Sequence, residues 1–145
     1  MNAYFSTEMR RFNHLLNEID SAYHEMSMKL GMSDSAMIIL YTICESGDSC
    51  PLLEICRKSG IRKQTINSAI RKLEAEGIVY LEMADAKKKI VCLTKQGRQL
   101  AERTAMRMIE AENEIFASWP KEDVDKYLEL TKRFMEALKE KTKEL

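Results

Sequence analysis

Glycine and proline are sparse in this chain and stand at a few widely separated positions. Five glycines and two prolines occur in 145 residues: Gly31, Gly47, Gly60, Gly77, Gly97, Pro51 and Pro120. These two residue types interrupt helices more strongly than any others, so the segments between them are free to form long helices. The spacing predicts a mainly helical chain with breaks at these few points.

The first segment has a helical period with one apolar seam. Apolar residues recur at alternating intervals of four and three, which is typical of a long helix that packs one face against a partner: Phe5, Met9, Phe12, Leu16, Ile19, Tyr23, Met26 and Leu30. Gly31 ends this helix. Ser33 is the predicted cap of a second helix that runs through Cys44.

The middle of the chain alternates short helices with a hairpin. Pro51 is placed in the first turn of a third helix that ends near Ser59, and Gly60 is its left-handed stop. A fourth helix follows from Arg62 to Glu76, and after it come two β-rich runs separated by the polar stretch 84–88. Thr94 is the predicted cap of a long fifth helix that extends to about Ser118, and Pro120 begins a sixth helix. The β-rich runs are 78–83 and 89–93.

This order predicts an α+β chain, mainly α, built around a winged helix-turn-helix. The winged region spans residues 33–98, and residues 1–32 and 99–145 supply long N- and C-terminal helices that intertwine with it in one domain. These outer helices are too long and amphipathic for the small middle to cover them, which favours dimerisation. A closed monomeric bundle is the alternative that the pattern leaves open.

The fourth helix divides into an apolar and a polar stripe. Ile66, Ala69, Ile70 and Leu73 form the first, and Gln64, Asn67, Ser68 and Arg71 form the second. Asn and Gln can make paired hydrogen bonds to the edge of adenine, and Arg can make them to the edge of guanine. The side chains and free backbone N–H groups of the first turn can bind phosphate. The helix is therefore a candidate recognition helix, and the Lys87 to Lys89 cluster at the hairpin tip is its candidate wing. The predicted DNA contacts are Arg62, Lys63, Gln64, Thr65, Asn67, Ser68, Arg71, Lys72, Lys87, Lys88 and Lys89.

The charge balance supports this location. The whole chain has 23 Lys or Arg and 23 Asp or Glu, a net charge of zero, which by itself would count against nucleic-acid binding. Residues 57–98 nevertheless contain eleven basic and four acidic residues, a net charge of +7, and the remainder carries −7. The sequence therefore predicts a basic reading head on an acidic helical frame.

The sequence lacks the motifs that are typical of metal sites, enzymes and membrane segments. Cys44, Cys50, Cys56 and Cys92 contain no C-x2-C or C-x4-C pair, and only His14 and His24 could add imidazole, so neither a metal site nor a cofactor is expected. The hydrolase, metalloprotease and phosphate-loop motifs are missing as well, which argues against an enzyme. The chain has no long apolar run, and its first residues do not resemble a secretory signal, so the expectation is a cytoplasmic protein that makes no membrane contact.

The segments from Leu52 to Cys56, Gly60 to Asn67, Leu73 to Ile78 and Leu93 to Arg98 resemble the MarR family of winged-helix transcriptional regulators. The resemblance implies a homodimer whose first, fifth and sixth helices interleave, with two reading heads on a pseudo-palindromic operator in double-stranded DNA. It favours a repressor that a small aromatic or phenolic ligand releases. The family's wing carries Asp followed by Arg, whereas this chain has Asp85, Ala86 and Lys87. Because an ammonium is more strongly hydrated than a guanidinium, Lys87 and Lys88 are expected to attract phosphate rather than read the minor groove.

The resemblance also implies a ligand cleft between the first, second and fifth helices. Its candidate residues are Tyr23, His24, Met28, Tyr41 and Cys44, although residues of these types at helical spacing are also ordinary core. Cys50 is the candidate for a competing thiol-based redox sensor, because it stands at a helix start, where exposure and the helix dipole would lower the pKa of a thiol. A helical protein-interaction module is the third alternative.

Overall fold

A computed structural model describes residues 6–85 and 87–145, so Phe5 of the predicted seam and Ala86 of the wing lie outside the described residues. The elements follow one another as α1 (Thr7–Lys29), α2 (Asp34–Glu45), β1 (Ser49–Pro51), α3 (Leu52–Ser59), α4 (Lys63–Ala75), β2 (Val79–Met83), β3 (Lys89–Leu93), α5 (Lys95–Arg103), α6 (Ala105–Ala117) and α7 (Lys121–Thr142). The predicted mainly helical winged helix-turn-helix fold is confirmed.

Short polar side chains cap three of these helices. The hydroxyl oxygens of Ser6, Ser33 and Thr94 accept hydrogen bonds of 3.0, 3.2 and 2.9 Å from backbone N–H groups in the first turns of α1, α2 and α5. Each bond satisfies a donor that has no partner within its own helix. The predicted caps of α2 and α5 are therefore confirmed, and so is the start of α7, which Pro120 precedes.

The three strands form one antiparallel sheet in the order β1, β3, β2. Tyr80 pairs with Cys92 in the centre of the hairpin, and Cys50 of β1 pairs with Val91. The prediction did not include β1, and it placed Pro51 inside α3, whereas Pro51 is the last residue of β1 and the N-cap of α3. Three residues are too few to show the alternation that marks a strand in a sequence.

The long fifth helix of the prediction is wrong, because the structure breaks it into α5 and α6 at Thr104. The hydroxyl of Thr104 donates a 2.7 Å hydrogen bond to the carbonyl oxygen of Leu100, and its backbone N–H turns to Ala101 instead. The same hydroxyl bond to the i−4 carbonyl occurs at Thr42 and Thr131 inside continuous helices, so it accompanies this break and does not by itself cause it. Thr104 is buried, so the break lies inside the fold.

The apolar core lies between α2, the helix-turn-helix and the sheet. Residues of α5 and α6 complete this core. Its buried residues are Met37, Ile39, Leu40, Ile43, Cys50, Ile55, Ile66, Ile70, Leu73, Ile78, Val79, Val91, Leu93, Ala101, Ala105 and Met108. The apolar stripe predicted for α4 is among them, apart from the half-buried Ala69. This core fixes which face of α4 remains at the surface.

Gly97 joins α5 to the wing through a close backbone approach. A Cβ atom at this position would overlap the carbonyl oxygen of Ile78 and lie 3.0 Å from its carbonyl carbon. The same carbonyl accepts a 3.1 Å hydrogen bond from the backbone N–H of Thr94, and it lies 3.1 Å from the Thr94 hydroxyl, which donates at 2.6 Å to the carbonyl oxygen of Gly77. Only glycine leaves room for this contact.

The chain divides into two compact units, Met1–Met108 and Ile109–Leu145. In the second unit Phe116, Trp119 and Tyr127 form an aromatic cluster with ring centroids 5.4 to 6.1 Å apart. No residue of α7 is buried, although Leu128 and Phe134 belong to its apolar stripe. Within the first unit, Met9, Leu16, Ile19 and Tyr23 of the α1 seam are also exposed.

Candidate nucleic-acid interface

Helix α4 presents its polar stripe at the surface because its apolar stripe is held in the core. Ile66, Ile70 and Leu73 are buried, while Gln64, Ser68 and Arg71 are exposed. Asn67 is half-buried beside them. The two faces of the helix therefore have the orientation that the sequence predicts, with groups able to hydrogen-bond base edges on the accessible side.

The start of α4 is basic, and no side chain caps it. Arg62 is the N-cap residue, and it makes no side-chain cap hydrogen bond. Arg62, Lys63, Gln64 and Thr65 are all exposed. A helix start combines free backbone N–H groups with a positive dipole end, both of which favour an anion.

The turn from α3 to α4 depends on a left-handed glycine. Gly60 has φ +67°, and its N–H donates to the carbonyl oxygen of Cys56 at 3.2 Å. The Ser59 hydroxyl then accepts a 3.2 Å hydrogen bond from the N–H of Ile61. These contacts close the predicted helix-turn-helix, with the half-buried Cys56 one turn before the glycine.

Asp85 organises the tip of the wing. One oxygen of its carboxylate, Oδ1, accepts hydrogen bonds from the backbone N–H groups of Lys87 and Lys88, both at 3.1 Å. The N–H of Ala84 closes the hairpin by donating to the carbonyl oxygen of Lys88 at 2.9 Å. With the backbone held in this way, the side chains of Lys87, Lys88 and Lys89 are exposed together.

The recognition helix, the wing and the start of α3 enclose a groove of about 550 Å³, which we call the reading groove. Its lining residues are Pro51, Leu52, Leu53, Cys56, Lys63, Asn67, Ile70, Arg71, Glu74, Leu81, Asp85, Lys87, Lys88 and Lys89. Six predicted DNA contacts thus meet in one place: Lys63, Asn67, Arg71 and the three wing lysines. The other five, Arg62, Gln64, Thr65, Ser68 and Lys72, are exposed around α4 outside this lining.

The reading groove also contains residues that the sequence reasoning missed. Leu53 lies in the first turn of α3 with 76% of its surface exposed, and Glu74 lies near the end of α4. Spacing along α4 was the one available signal for Glu74, because it follows Asn67 by seven residues and Arg71 by three. Nothing in the local sequence brings Leu53 next to a wing more than 30 residues away.

The five residues predicted to line a ligand cleft have different surroundings. Tyr23 and Met28 are exposed on α1, whereas Tyr41 and Cys44 are half-buried on α2. The Nδ1 atom of His24 lies 2.7 Å from the Oδ2 atom of Asp34, an exposed contact that ties α1 to the first turn of α2. None of the five lines the reading groove.

The exposure expected of Cys50 is wrong. Its side chain is 1% exposed, because Cys50 is the middle residue of β1 and packs into the core. The argument for a reactive thiol at this position required solvent access. Elsewhere, burial together with Asp48 raises the pKa of the Cys44 thiol, and burial together with Glu82 raises that of Cys92.

Metal-binding clusters and membrane-spanning helices are both missing from the described residues. Within 6–85 and 87–145, no three side chains of the His, Cys, Asp or Glu type come together as metal ligands would. Over the same residues, no helix combines the length and the apolar composition that crossing a bilayer requires.

Residues 30–90 match the family model described as MarR family. The matched segment holds α2, the helix-turn-helix and the wing as far as the first residues of β3. Over these residues the chain is similar to the MarR family. Proteins of the MarR family are transcription regulators and not enzymes.

Individual relatives agree with this similarity. The chain is 24% identical over 131 residues to YwoH, an HTH-type transcriptional regulator of Bacillus subtilis (strain 168), covering 85% of this chain and 95% of YwoH. Its fold is similar to NMB1585, a MarR family regulator from Neisseria meningitidis, with a TM-score of 0.84, 18% identity, and 96% and 99% of the two chains covered.

Two further solved structures contain bound molecules. The S. aureus MepR–DNA complex has a TM-score of 0.68 at 17% identity, and 92% of this chain and 98% of MepR are covered. NadR in complex with 4-hydroxyphenylacetate has a TM-score of 0.70 at 14% identity, and 90% and 93% are covered. At these identities the likeness establishes the fold.

Proposed function

We propose that this protein is a MarR family transcription regulator, a homodimeric repressor that binds a pseudo-palindromic operator in double-stranded DNA and leaves it when a small aromatic or phenolic ligand binds. The reading groove is the observation that carries the proposal. It places an amide and a guanidinium, on Asn67 and Arg71, beside the three lysines of the wing. Base-edge contacts and phosphate contacts are then available from one surface.

The polar stripe of α4 and the cationic side chains around it have different roles in DNA recognition. Gln64, Asn67, Ser68 and Arg71 on α4 meet base edges in the major groove, where Asn pairs with adenine and Arg with guanine. The wing lysines, with Arg62, Lys63, Thr65 and Lys72 around α4, hold phosphates and fix the position of the helix. The MepR–DNA complex, which shares the fold, supports DNA as the partner.

Dimerisation is supported by the apolar surface that the outer helices leave exposed. On α7, Leu128, Phe134 and Leu138 are all more than 40% exposed, and so are Leu16 and Ile19 on α1. Exposed apolar area of this kind is typical of a subunit interface. Two copies related by a two-fold axis would present two reading heads to half-sites about one DNA turn apart.

Ligand release is supported by NadR, which shares the fold and binds 4-hydroxyphenylacetate. In this chain the proposed cleft residues are Tyr23, His24, Met28, Tyr41 and Cys44. The contact between His24 and Asp34 joins α1 to the capped start of α2, so a ligand that engages His24 would act on the helix that anchors the reading head. The proposal includes a cytoplasmic location, where the operator is.

The test is a fluorescence anisotropy titration with DNA fragments selected from a random pool, together with light scattering of the free protein. We expect a mass of twice 16.8 kDa and a selected palindrome. Asn67→Ala and Arg71→Ala should each lose about 1–3 kcal/mol of operator affinity and relax the preference at one position. Arg103→Ala, which removes an exposed guanidinium outside the groove, is the control. Absence of any DNA binding by the wild type would refute the proposal and favour a protein-interaction module.

A further inference from the structure

One acidic side chain in the reading groove has no evident structural role. Glu74 lines the groove with five cationic residues, Lys63, Arg71, Lys87, Lys88 and Lys89. The other carboxylate there, that of Asp85, is engaged by two backbone N–H groups of the wing turn. Among the ion pairs of residues 6–85 and 87–145, by contrast, none includes Glu74, and its side chain is exposed.

Helix stability does not account for Glu74 either. It lies one residue before the end of α4, where the helix dipole leaves a partial negative charge. A carboxylate at this end is disfavoured, and Arg71, one turn earlier, does not come within ion-pair distance of it. The local structure would therefore gain from a neutral side chain at this position.

A negative charge in a groove that binds phosphate changes the ratio of operator affinity to non-specific affinity. We propose that Glu74 is a specificity-determining residue that opposes phosphate in the reading groove and so penalises non-specific DNA more than the operator. The proposal rests on the DNA-binding function proposed above. Non-specific binding depends almost entirely on phosphate contacts, so a carboxylate among the cations weakens it directly.

The repulsion between Glu74 and phosphate weakens operator binding less, because on the operator the carboxylate can accept a hydrogen bond from a base. Glu74 follows Asn67 by seven residues and Arg71 by three, so it shares their side of α4. When Asn67 and Arg71 are seated on base edges, a glutamate on the same stripe faces the major groove, where the exocyclic amino group of cytosine is a hydrogen-bond donor. This contact offsets part of the repulsion on the operator only.

The expected effect follows from the distance between charges. A carboxylate and a phosphate about 7 Å apart in water repel each other enough to lower an equilibrium constant about threefold, and screening in about 50 mM salt, where the Debye length is about 14 Å, reduces this to about twofold. Two reading heads in a dimer therefore give about threefold to fourfold at this salt. Glu74→Gln removes the charge while keeping the size of the side chain, so it should strengthen non-specific binding by this factor.

The experiment compares Glu74→Gln with Glu76→Gln, the same chemical change at an exposed neighbour outside the groove lining. Anisotropy titrations use a random-sequence duplex of about 30 base pairs and the selected operator, in about 50–200 mM salt. At about 50 mM salt we expect Glu74→Gln to raise non-specific affinity about threefold and to lower the ratio of operator to non-specific affinity about twofold. Glu76→Gln should leave that ratio unchanged, and Glu74→Asp should resemble the wild type.

The inference is overturned if Glu74→Gln leaves the ratio unchanged, if the operator affinity alone falls, or if Glu76→Gln lowers the ratio equally. The last result would assign the effect to net charge and not to the groove. Failure of the proposed function itself looks different, because the wild type would then bind neither duplex. Since Glu74 is exposed and makes no ion pair among the described residues, its substitution tests DNA binding without disturbing a packed contact.

Discussion

Lys88 offers a quantitative test of the wing, because its side chain is separable from the turn that presents it. The backbone N–H of Lys88 donates to Asp85 and its carbonyl oxygen accepts from Ala84, so Lys88→Ala keeps both turn contacts and removes the ammonium alone. The exposed side chain lines the reading groove. We therefore expect the variant to fold as the wild type does.

The size of the effect follows from the number of cations proposed to contact phosphate. These are six in each head: Arg62, Lys63, Lys72, Lys87, Lys88 and Lys89. Each phosphate contact contributes about −0.9 to the slope of log affinity against log salt, which gives about −5.4 for one fully engaged head and about −11 for two. Lys88→Ala should make the slope of a dimer about 1.8 less negative. Between about 50 and 200 mM salt the variant would then lose about twelvefold less affinity than the wild type.

The assay is an anisotropy titration over that salt range on operator and non-specific duplexes. Lys139→Ala on α7, which removes an exposed lysine from the last turn of that helix, is the matched control and should leave the slope unchanged. A wild-type slope for Lys88→Ala, or the same change in both variants, would refute phosphate contact at the wing tip. A change confined to one base position of the operator would show instead that the wing reads sequence.

Two other predictions concern the scaffold and the thiols. Gly97→Ala should lower the free energy of unfolding by about 2–4 kcal/mol, because the added Cβ overlaps the Ile78 carbonyl oxygen, which accepts a hydrogen bond from Thr94. Urea unfolding followed by circular dichroism measures this loss, with Gln99→Ala at an exposed position as the control. A loss below about 1 kcal/mol, or one equal to that of the control, would argue against the prediction. Burial and Asp48 raise the pKa of Cys44, so its thiol stays protonated to higher pH, and its reaction with a disulfide reagent should need more alkaline pH than a free thiol needs. Equal rates for Cys44 and a short cysteine peptide at pH 8 would contradict that direction.

Sequence reasoning succeeded where a local physical rule decides the outcome. Ser33 and Thr94 cap helices because a hydroxyl can satisfy a backbone donor three residues ahead. Gly60 and Gly77 end helices at positive φ, which a side chain would disfavour. The apolar stripe of α4 was recognisable because burial along a helix follows its period.

The rest depends on contacts between segments distant in the chain. Cys50 is buried because β1 pairs with β3, a partner about 40 residues away, and a three-residue strand has no periodicity of its own. The break at Thr104 is a single residue with φ −128° and ψ −87°, and the local sequence does not mark it, because Thr42 and Thr131 make the same hydroxyl bond inside continuous helices. Leu53 and Glu74 become groove residues only when the start of α3, the end of α4 and the wing come together.

The reading groove finally bears on where sequence selectivity resides. A wing tip made of lysines contributes strongly hydrated point charges, which attract any phosphate and discriminate little between sequences. Under the proposed function, discrimination then comes from α4, where Asn67 and Arg71 are the residues proposed to make the paired hydrogen bonds that distinguish bases. Each good pair contributes about 1–3 kcal/mol of discrimination, so a few of them in each half-site are needed to exceed the attraction that six cations exert on every sequence. A carboxylate on the same stripe as these two residues weakens the attraction to phosphate on every sequence, so substitution of Glu74 should alter specificity more than substitution of a wing lysine does.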